Sequence, residues 1–226
     1  MGPSDHPSYN VAQRLRLRPQ EVEPTVTEVH ELVARQGRSA CTWEVGSSAT
    51  PADLRDRLLA LGLVPDREPH AVGMVMTEPP AEPPPGVEAH AIETFDEYVV
   101  ARRIQEEVFE LPAEHRADEA ELRSDFEQAD TARGRVFLAL LEGQPAAAGT
   151  SGYSEAGVTL FGAATLPWAR GHGAYRALVR ARWDDAAARG TPTLVTQAGA
   201  MSRPILKRLG FRSVCEIWIL LDEFSV

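Results

Sequence analysis

Five consecutive residues, Arg170-Gly171-His172-Gly173-Ala174, lie where an apolar run, Val158 to Thr165, gives way to a helix-forming stretch. Backbone N–H groups at the start of a helix have no carbonyl partner within it, and the helix dipole favours negative charge there. Glycine lets an anion approach the main chain closely. The N–H groups of Gly171, His172, Gly173 and Ala174 are therefore read as a cradle for a pyrophosphate. Two glycines easing an ordinary strand-to-helix turn would leave the same local pattern, so the surrounding elements decide between the two readings.

The segment Pro167-Trp-Ala-Arg-Gly-His-Gly-Ala-Tyr-Arg-Ala-Leu178 resembles the acetyl-CoA loop of the GNAT superfamily, whose pattern is Arg/Gln-x-x-Gly-x-Gly/Ala. Arg170 and Gly173 fit it. The last position is Tyr175, which either narrows the pocket near the pyrophosphate or points outward. Ser202-Arg-Pro-Ile-Leu-Lys-Arg-Leu-Gly-Phe211 is similar to the family's second cofactor segment, a short helix ending in Leu-Gly-Phe, and the resemblance runs from Val87 to Leu221.

What the resemblance implies is an α/β fold with a mixed, mostly antiparallel sheet flanked by helices, and an N-acetyltransferase that takes acetyl-CoA as cosubstrate. The acceptor would be a primary amine, most simply on a small molecule, attacking the thioester directly without a covalent enzyme intermediate. Ala164, Thr165 and Leu166 would pair with the pantetheine arm, a backbone N–H of that strand would stabilise the oxyanion, and Arg170, Gly171, His172, Gly173, Ala174, Tyr175 and Ser202 would complete the cofactor site. The family often places a tyrosine four residues before the glycine of Leu-Gly-Phe and an asparagine seven residues earlier; these positions are Leu206 and Gly199. Leucine donates no proton. The acid then falls to Ser202, Tyr153, Tyr175 or water, and the base to Glu107, Glu110 or Glu155. Each glutamate also reads as a solvated helix or turn residue, and Ser202 as a helix N-cap.

The elements that must position these residues follow from periodicity and punctuation. After a proline-rich stretch, a strand is expected over Val87 to Ile92. A capping box, Thr94-Phe-Asp-Glu97, opens a helix through Val99, Ile104 and Val108, and another helix spans Asp118 to Gln128. Three strands, Arg135 to Leu141, Ala146 to Tyr153 and Val158 to Thr165, form an antiparallel meander. A helix (Gly171 to Arg189), a strand (Thr193 to Gln197), a helix (Ser202 to Leu209) and a strand (Ser213 to Leu221) complete the order. Ala174, Ala177, Leu178, Ala181 and Ala188 share a helical face expected to pack on the sheet, with Asp185 interrupting it and Trp183 opposite.

Thr77 to Gly86 carries five prolines and reads as an extended linker between a lobe of residues 1–76 and a GNAT-like domain of residues 87–226. The front lobe is read as a helix (Thr25 to Gln36), a strand (Ala40 to Val45), a helix (Thr50 to Leu61) and a strand (His70 to Met76). That order echoes the last third of the chain, either as a degenerate half-repeat or as a common succession of elements. Too small to be comfortably independent, the lobe is expected to cover or extend the sheet of the second domain.

Composition bounds the rest. The 226 residues are 43% hydrophobic, enough for a sizeable core, and the formal net charge of -10 disfavours phosphate-backbone binding, so no nucleic-acid partner is expected. The six histidines, His6, His30, His70, His90, His115 and His172, lack metal-ligand spacing, and Cys41 and Cys215 read as free thiols. No apolar run approaches the ~20 residues of a membrane span and the first residues lack the pattern of a secretory leader. The expectation is a cytoplasmic protein with no membrane partner. Oligomeric state is left open, and a non-catalytic acyl-CoA-binding module, motivated by Leu206, stands as the alternative to an enzyme.

Overall fold

The computed structural model describes Pro7 and residues 10–225; His6 and the first six residues lie outside them. The chain divides into two compact units. The smaller holds the described residues up to Gly73 with 198–204 and 213–225; the larger holds 74–197 with 205–212. The first division, between Gly73 and Met74, lies three residues before the proline-rich stretch, and residues 198–204 and 213–225 group with the front of the chain.

In the smaller unit, β1 (Val11–Ala12) pairs parallel with β2 (Ala40–Gly46). β9 (Arg212–Glu223) pairs antiparallel with β2 from Ala40↔Glu223 to Gly46↔Ile217. A two-residue β1 carries no periodicity that a sequence could announce. α1 (Val22–Ala34) starts three residues before the expected Thr25, since Pro24 is tolerated in a first turn whose N–H groups are unpaired anyway. Val22, Val26 and Val33 recur at helical spacing and join Trp43, Val45, Leu220 and the Leu54 and Leu58 side chains of α2 (Leu54–Ala60) in one core. β3 (Val64–Met76) begins six residues before the expected His70; its first half is mostly exposed and absorbs Pro65 and Pro69.

Asp222 stitches this core. Its Oδ2, on a residue 4% exposed, accepts from Trp43 Nε1 at 2.9 Å and pairs with His30 Nε2 at 2.9 Å. Burial, reinforced by the Asp222 charge, pushes the Cys41 thiol up to about 12, so this free cysteine is an inert core residue. Asp222→Ala leaves the fully buried indole N–H without its acceptor. Urea unfolding is expected to register a loss of about 2 kcal/mol, and an unchanged midpoint would show that water replaces the carboxylate.

In the larger unit the strands are ordered β8-β7-β6-β5-β4. β4 (Val87–Ala91), β5 (Gly134–Leu141), β6 (Gln144–Ser154) and β7 (Gly157–Thr165) pair antiparallel, and β8 (Leu194–Ala198) pairs parallel with β7. The expected meander is present. Alternation along β5 sends Leu138 to one face, with Ala101 and Ile104 of α3 (Phe95–Val108), and Phe137 and Ala139 to the other, with Ala174, Ala177 and Leu178 of α5 (Ala174–Ala188). α4 (Glu119–Glu127) packs on α3 through Tyr98 and Phe126, and α6 (Arg203–Arg208) buries Leu206.

The capping box at the head of α3 is formed as read. Thr94 accepts from the Glu97 N–H, while the Glu97 carboxylate accepts from the Glu93 and Thr94 N–H groups and pairs with His90. These bonds, the Glu93 N–H first, hold the Glu97 carboxyl down at about 2 against an ordinary 4.5. A depressed carboxyl stabilises the fold above its unfolded value and loses that contribution as pH falls through the folded one. Glu97→Gln is expected to cost about 1 kcal/mol at pH 7. It should also flatten the decline in denaturation midpoint between pH 4.5 and 2, and an equally steep decline would assign the acid sensitivity to other carboxylates.

The proline-rich stretch forms no regular element, yet it is not loose. Pro80 is buried and its carbonyl accepts from Arg180 Nη1 at 3.3 Å, Glu82 forms an ion pair with the same guanidinium, and Pro84 packs at the head of α5.

Candidate cofactor loop and acyl-transfer site

β7 runs into a 3-10 turn (Pro167–Ala169), then Arg170 to Gly173, then α5. Gly171 and Gly173 have φ of +83° and +96°, a region that a side chain with a Cβ enters at a cost, so both glycines are conformational requirements. Gly173 is also the residue that caps α5, and a Cβ there would sit 2.5 Å from Pro84 Cγ. Gly171 faces open space, with nothing within 4 Å of a would-be Cβ. The cradle is smaller than the sequence suggested. The His172 N–H donates to the Ala169 carbonyl at 3.3 Å, whereas Gly171, Gly173 and Ala174 donate no backbone hydrogen bond among the described residues. Arg170 Nε donates to the Thr165 carbonyl at 3.2 Å, tying the loop to the end of β7 and leaving the rest of an exposed guanidinium toward solvent.

Tyr175 neither narrows the loop nor points outward. It packs beside the alanine-rich core of α5, where burial raises its phenol and the buried Arg182 guanidinium faces it. What it offers a ligand is backbone.

Upstream of the loop, β7 parts from its parallel neighbour. The β7–β8 register holds at Val158↔Leu194 and Thr159↔Val195 and ends there, with Thr196 Oγ1 donating to the Leu160 carbonyl at 2.9 Å. On the other side β7 stays paired with β6 through Ala148↔Ala164 and Ala147↔Thr165. The edge of β7 from Phe161 to Thr165 is thus released on one side. Ala164 is 2% exposed, Thr165 and Leu166 are half-buried, and the Leu166 N–H is already committed to the Ala146 carbonyl at 2.9 Å.

Of the proton-transfer candidates, Tyr153 is set aside. It pairs with Val158 at the hairpin end, six positions along β6 from Ala147 and so roughly 20 Å from the strand end that meets the loop. Its hydroxyl donates to Asp185 at 2.6 Å, and burial followed by that carboxylate raises its pKa strongly, which makes it a poor acid. Glu155 lies in the same distant hairpin and is exposed. Glu107 and Glu110 are exposed at the end of α3. Ser202 is half-buried in the turn before α6 and falls in the smaller compact unit, whereas the loop belongs to the larger.

The residue that pattern reading missed is Glu106, neighbour of the exposed Glu107. It is 3% exposed, its Oε2 accepts from Arg103 Nη1 at 2.5 Å, and its Oε1 is buried without a partner among the described residues. Beside it, Gln105 Nε2 donates to the Gly162 carbonyl at 2.7 Å, so this part of α3 lies against the released stretch of β7. Leu206, standing where the family has its tyrosine, is a core residue 1% exposed.

No family model and no curated protein matches this chain. Solved structures do. A GCN5-related N-acetyltransferase from Kribbella flavida superposes with a TM-score of 0.70 at 19% identity over 95% of this chain and 81% of that one. Another from Sphaerobacter thermophilus gives 0.67 at 18% identity over 91% and 69%. A tandem GNAT protein from the clavulanic acid biosynthesis pathway gives 0.66 at 17% identity over 93% and 72%. With the order of elements, the parted strands and the glycine loop already in place, these likenesses establish that the fold of this chain is that of the GCN5-related N-acetyltransferases.

Proposed function

We propose that this chain is an N-acetyltransferase that moves an acetyl group from acetyl-CoA to a primary amine on a small molecule. The observation that carries the reading is the released edge of β7 leading into a loop with two left-handed glycines, three N–H groups that donate no backbone hydrogen bond among the described residues, and open space at Gly171. That arrangement suits a pantetheine arm lying along a strand edge with a pyrophosphate at the head of α5. Acetyl-CoA supplies an activated thioester carbonyl, and the chain's contribution is placement, a donor for the developing oxyanion and removal of a proton.

In this reading the N–H groups of Gly171, Gly173 and Ala174 hold the pyrophosphate with Arg170 above them, and a β7 backbone N–H faces the acyl oxygen. Glu106 Oε1 takes the proton from the attacking ammonium, since an alkyl amine of pKa ~10 is protonated at neutral pH. The nitrogen then adds to the carbonyl carbon, the C–S bond breaks to release CoA as a thiolate, and the second proton on the nitrogen passes to water and on to that thiolate. The protein works in the cytoplasm on this account.

Isothermal titration with acetyl-CoA, followed by a thiol-release assay over a panel of amines, tests both halves. Saturable binding with acceptor-dependent thiol release is expected. Binding without turnover on any acceptor would favour the acyl-CoA-binding module, the reading to which the buried Leu206 lends weight. Absence of binding would end both.

A further inference from the structure

Between Ala148↔Ala164 and Thr150↔Phe161 the β6–β7 register slips, so that Gly162 and Ala163 of β7 together face Gly149 of β6. Gly162 takes φ of +60° there. Such a bulge frees main-chain groups from the ladder and re-aims the strand beyond it, but freed groups also make a strand mobile unless something else holds them. Here two buried polar side chains do so, one from each face. From α3, Gln105, 7% exposed, donates through Nε2 to the Gly162 carbonyl at 2.7 Å and occupies the space into which a Gly162 Cβ would project, 2.9 Å from it. From α5, the fully buried guanidinium of Arg182 fills the corresponding space beside Gly149, where a Cβ would meet Nη1 at 2.9 Å and Cζ at 3.3 Å. Arg182 Nε is anchored on the Leu178 carbonyl of its own helix at 3.0 Å, and Nη1 makes a long contact of 3.5 Å to the Thr150 carbonyl.

A buried guanidinium that faces the Tyr175 phenol but no carboxylate, and whose Nη2 makes no hydrogen bond among the described residues, is an expensive way to fill a core. A methionine or leucine would pack more cheaply. Gln105 and Arg182 both lie within their helices, away from the ends that need capping. What both share is the bulge, which begins where β7 has left β8 and ends at Ala164, two residues before Leu166.

We propose that Gln105 and Arg182 are positioning residues that clamp the β6–β7 bulge from opposite faces and so fix the main chain of residues 162–164 toward the acyl group. The proposal rests on the acetyltransferase reading for its consequence in catalysis, but not for the clamp itself. A clamped bulge gives a preorganised dipole. An unclamped one leaves the pyrophosphate loop intact and blurs the donor that faces the oxyanion.

Two kinds of measurement separate these effects. Gln105→Leu keeps the volume and removes the donor; Gln105→Glu replaces it with an acceptor facing a carbonyl; Arg182→Lys shortens the clamp while keeping the charge. In amide hydrogen exchange, Gln105→Leu and Arg182→Lys are expected to speed exchange at Gly162, Ala163 and Ala164 at least tenfold while amides of β5 and of the α5 interior stay within twofold. In kinetics, kcat is expected to fall at least tenfold with the Kd for CoA within threefold, and Gln105→Glu to be the more damaging substitution at that position. Unchanged exchange at 162–164 in both Gln105→Leu and Arg182→Lys would overturn the clamp, whatever the activity. Accelerated exchange with unchanged kcat would overturn its role in catalysis. Should wild type bind no CoA, the exchange result still decides the clamp, and only the catalytic reading is lost.

Discussion

Gly171→Asp is expected to weaken acetyl-CoA binding about 100-fold, while Gly171→Asn weakens it less than fivefold. Gly171 has φ of +83°, and asparagine and aspartate are the side chains that best tolerate this region, so both variants carry a similar and modest backbone cost. Nothing lies within 4 Å of a would-be Cβ, so neither introduces a clash. The two differ by one charge. A carboxylate roughly 4 Å from a phosphate costs about 1 kcal/mol in water and several times more where the site sheds water, and a pyrophosphate presents two such groups. About 2.7 kcal/mol, or 100-fold in Kd, follows. The neighbouring Gly173 is the less informative position, because a Cβ there meets Pro84 at 2.5 Å and any substitution disturbs the head of α5 as well as the charge. Isothermal titration of the three proteins decides the matter. Equal affinity in wild type and Gly171→Asp would place the cofactor's phosphates away from this loop and remove the main support for the acetyltransferase reading.

The loop was legible in the sequence because its physics is local: two glycines between an apolar strand and an alanine-rich helix state the requirement in consecutive residues. The α3 cap was legible for the same reason, Thr94 and Glu97 being three apart. The β4 to β7 strands alternate or run apolar between turn residues, and they appear within two residues of their expected ends. What escaped depends on distant pairing. β9 joins β2, residues 40–46 against 217–223, and no periodicity within either strand reveals its partner. The wheel of α5 placed Trp183 opposite the core, yet it is 6% exposed, and Arg182 is fully buried. A helix covered on more than one side has no polar face to read. Tyr153 reads in sequence as a hydroxyl that could serve in place of Leu206, but it sits at the hairpin end of β6, opposite Val158 and away from the glycine loop. The bulge was invisible for a different reason. Val158-Thr-Leu-Phe-Gly-Ala-Ala-Thr165 reads as one continuous strand, and only the register against β6 shows that Gly162 and Ala163 share one partner.

Polar residues inside helices are where pattern reading is weakest, and Glu106 shows what that hides. In sequence it is one of a pair, Glu106-Glu107, in a helix rich in charge, and the natural choice between them is a coin toss. In the structure Glu107 is exposed and Glu106 is 3% exposed. A buried carboxylate needs its oxygens satisfied. Arg103 serves Oε2, while Oε1 is left without a partner among the described residues, and the proposed base is that oxygen. Glu106→Gln preserves shape and removes that capacity. It is expected to lower kcat about 100-fold for an alkyl amine acceptor, with the Kd for acetyl-CoA within threefold, since general base catalysis contributes on the order of 10²-fold or more. Arg103 is 46% exposed, so losing the ion pair leaves a solvated cation and the fold should hold. The discriminating measurement is a series of acceptors of falling amine pKa. An acceptor that is already neutral at the assay pH needs no deprotonation before attack, and its ammonium adduct is acidic enough to lose a proton to water. The deficit of Glu106→Gln should therefore shrink toward unity along the series. A deficit that stays constant would mean that Glu106 shapes the site without taking the proton. No deficit at any acceptor would return Glu106 to the role of partner for Arg103 and leave deprotonation to solvent.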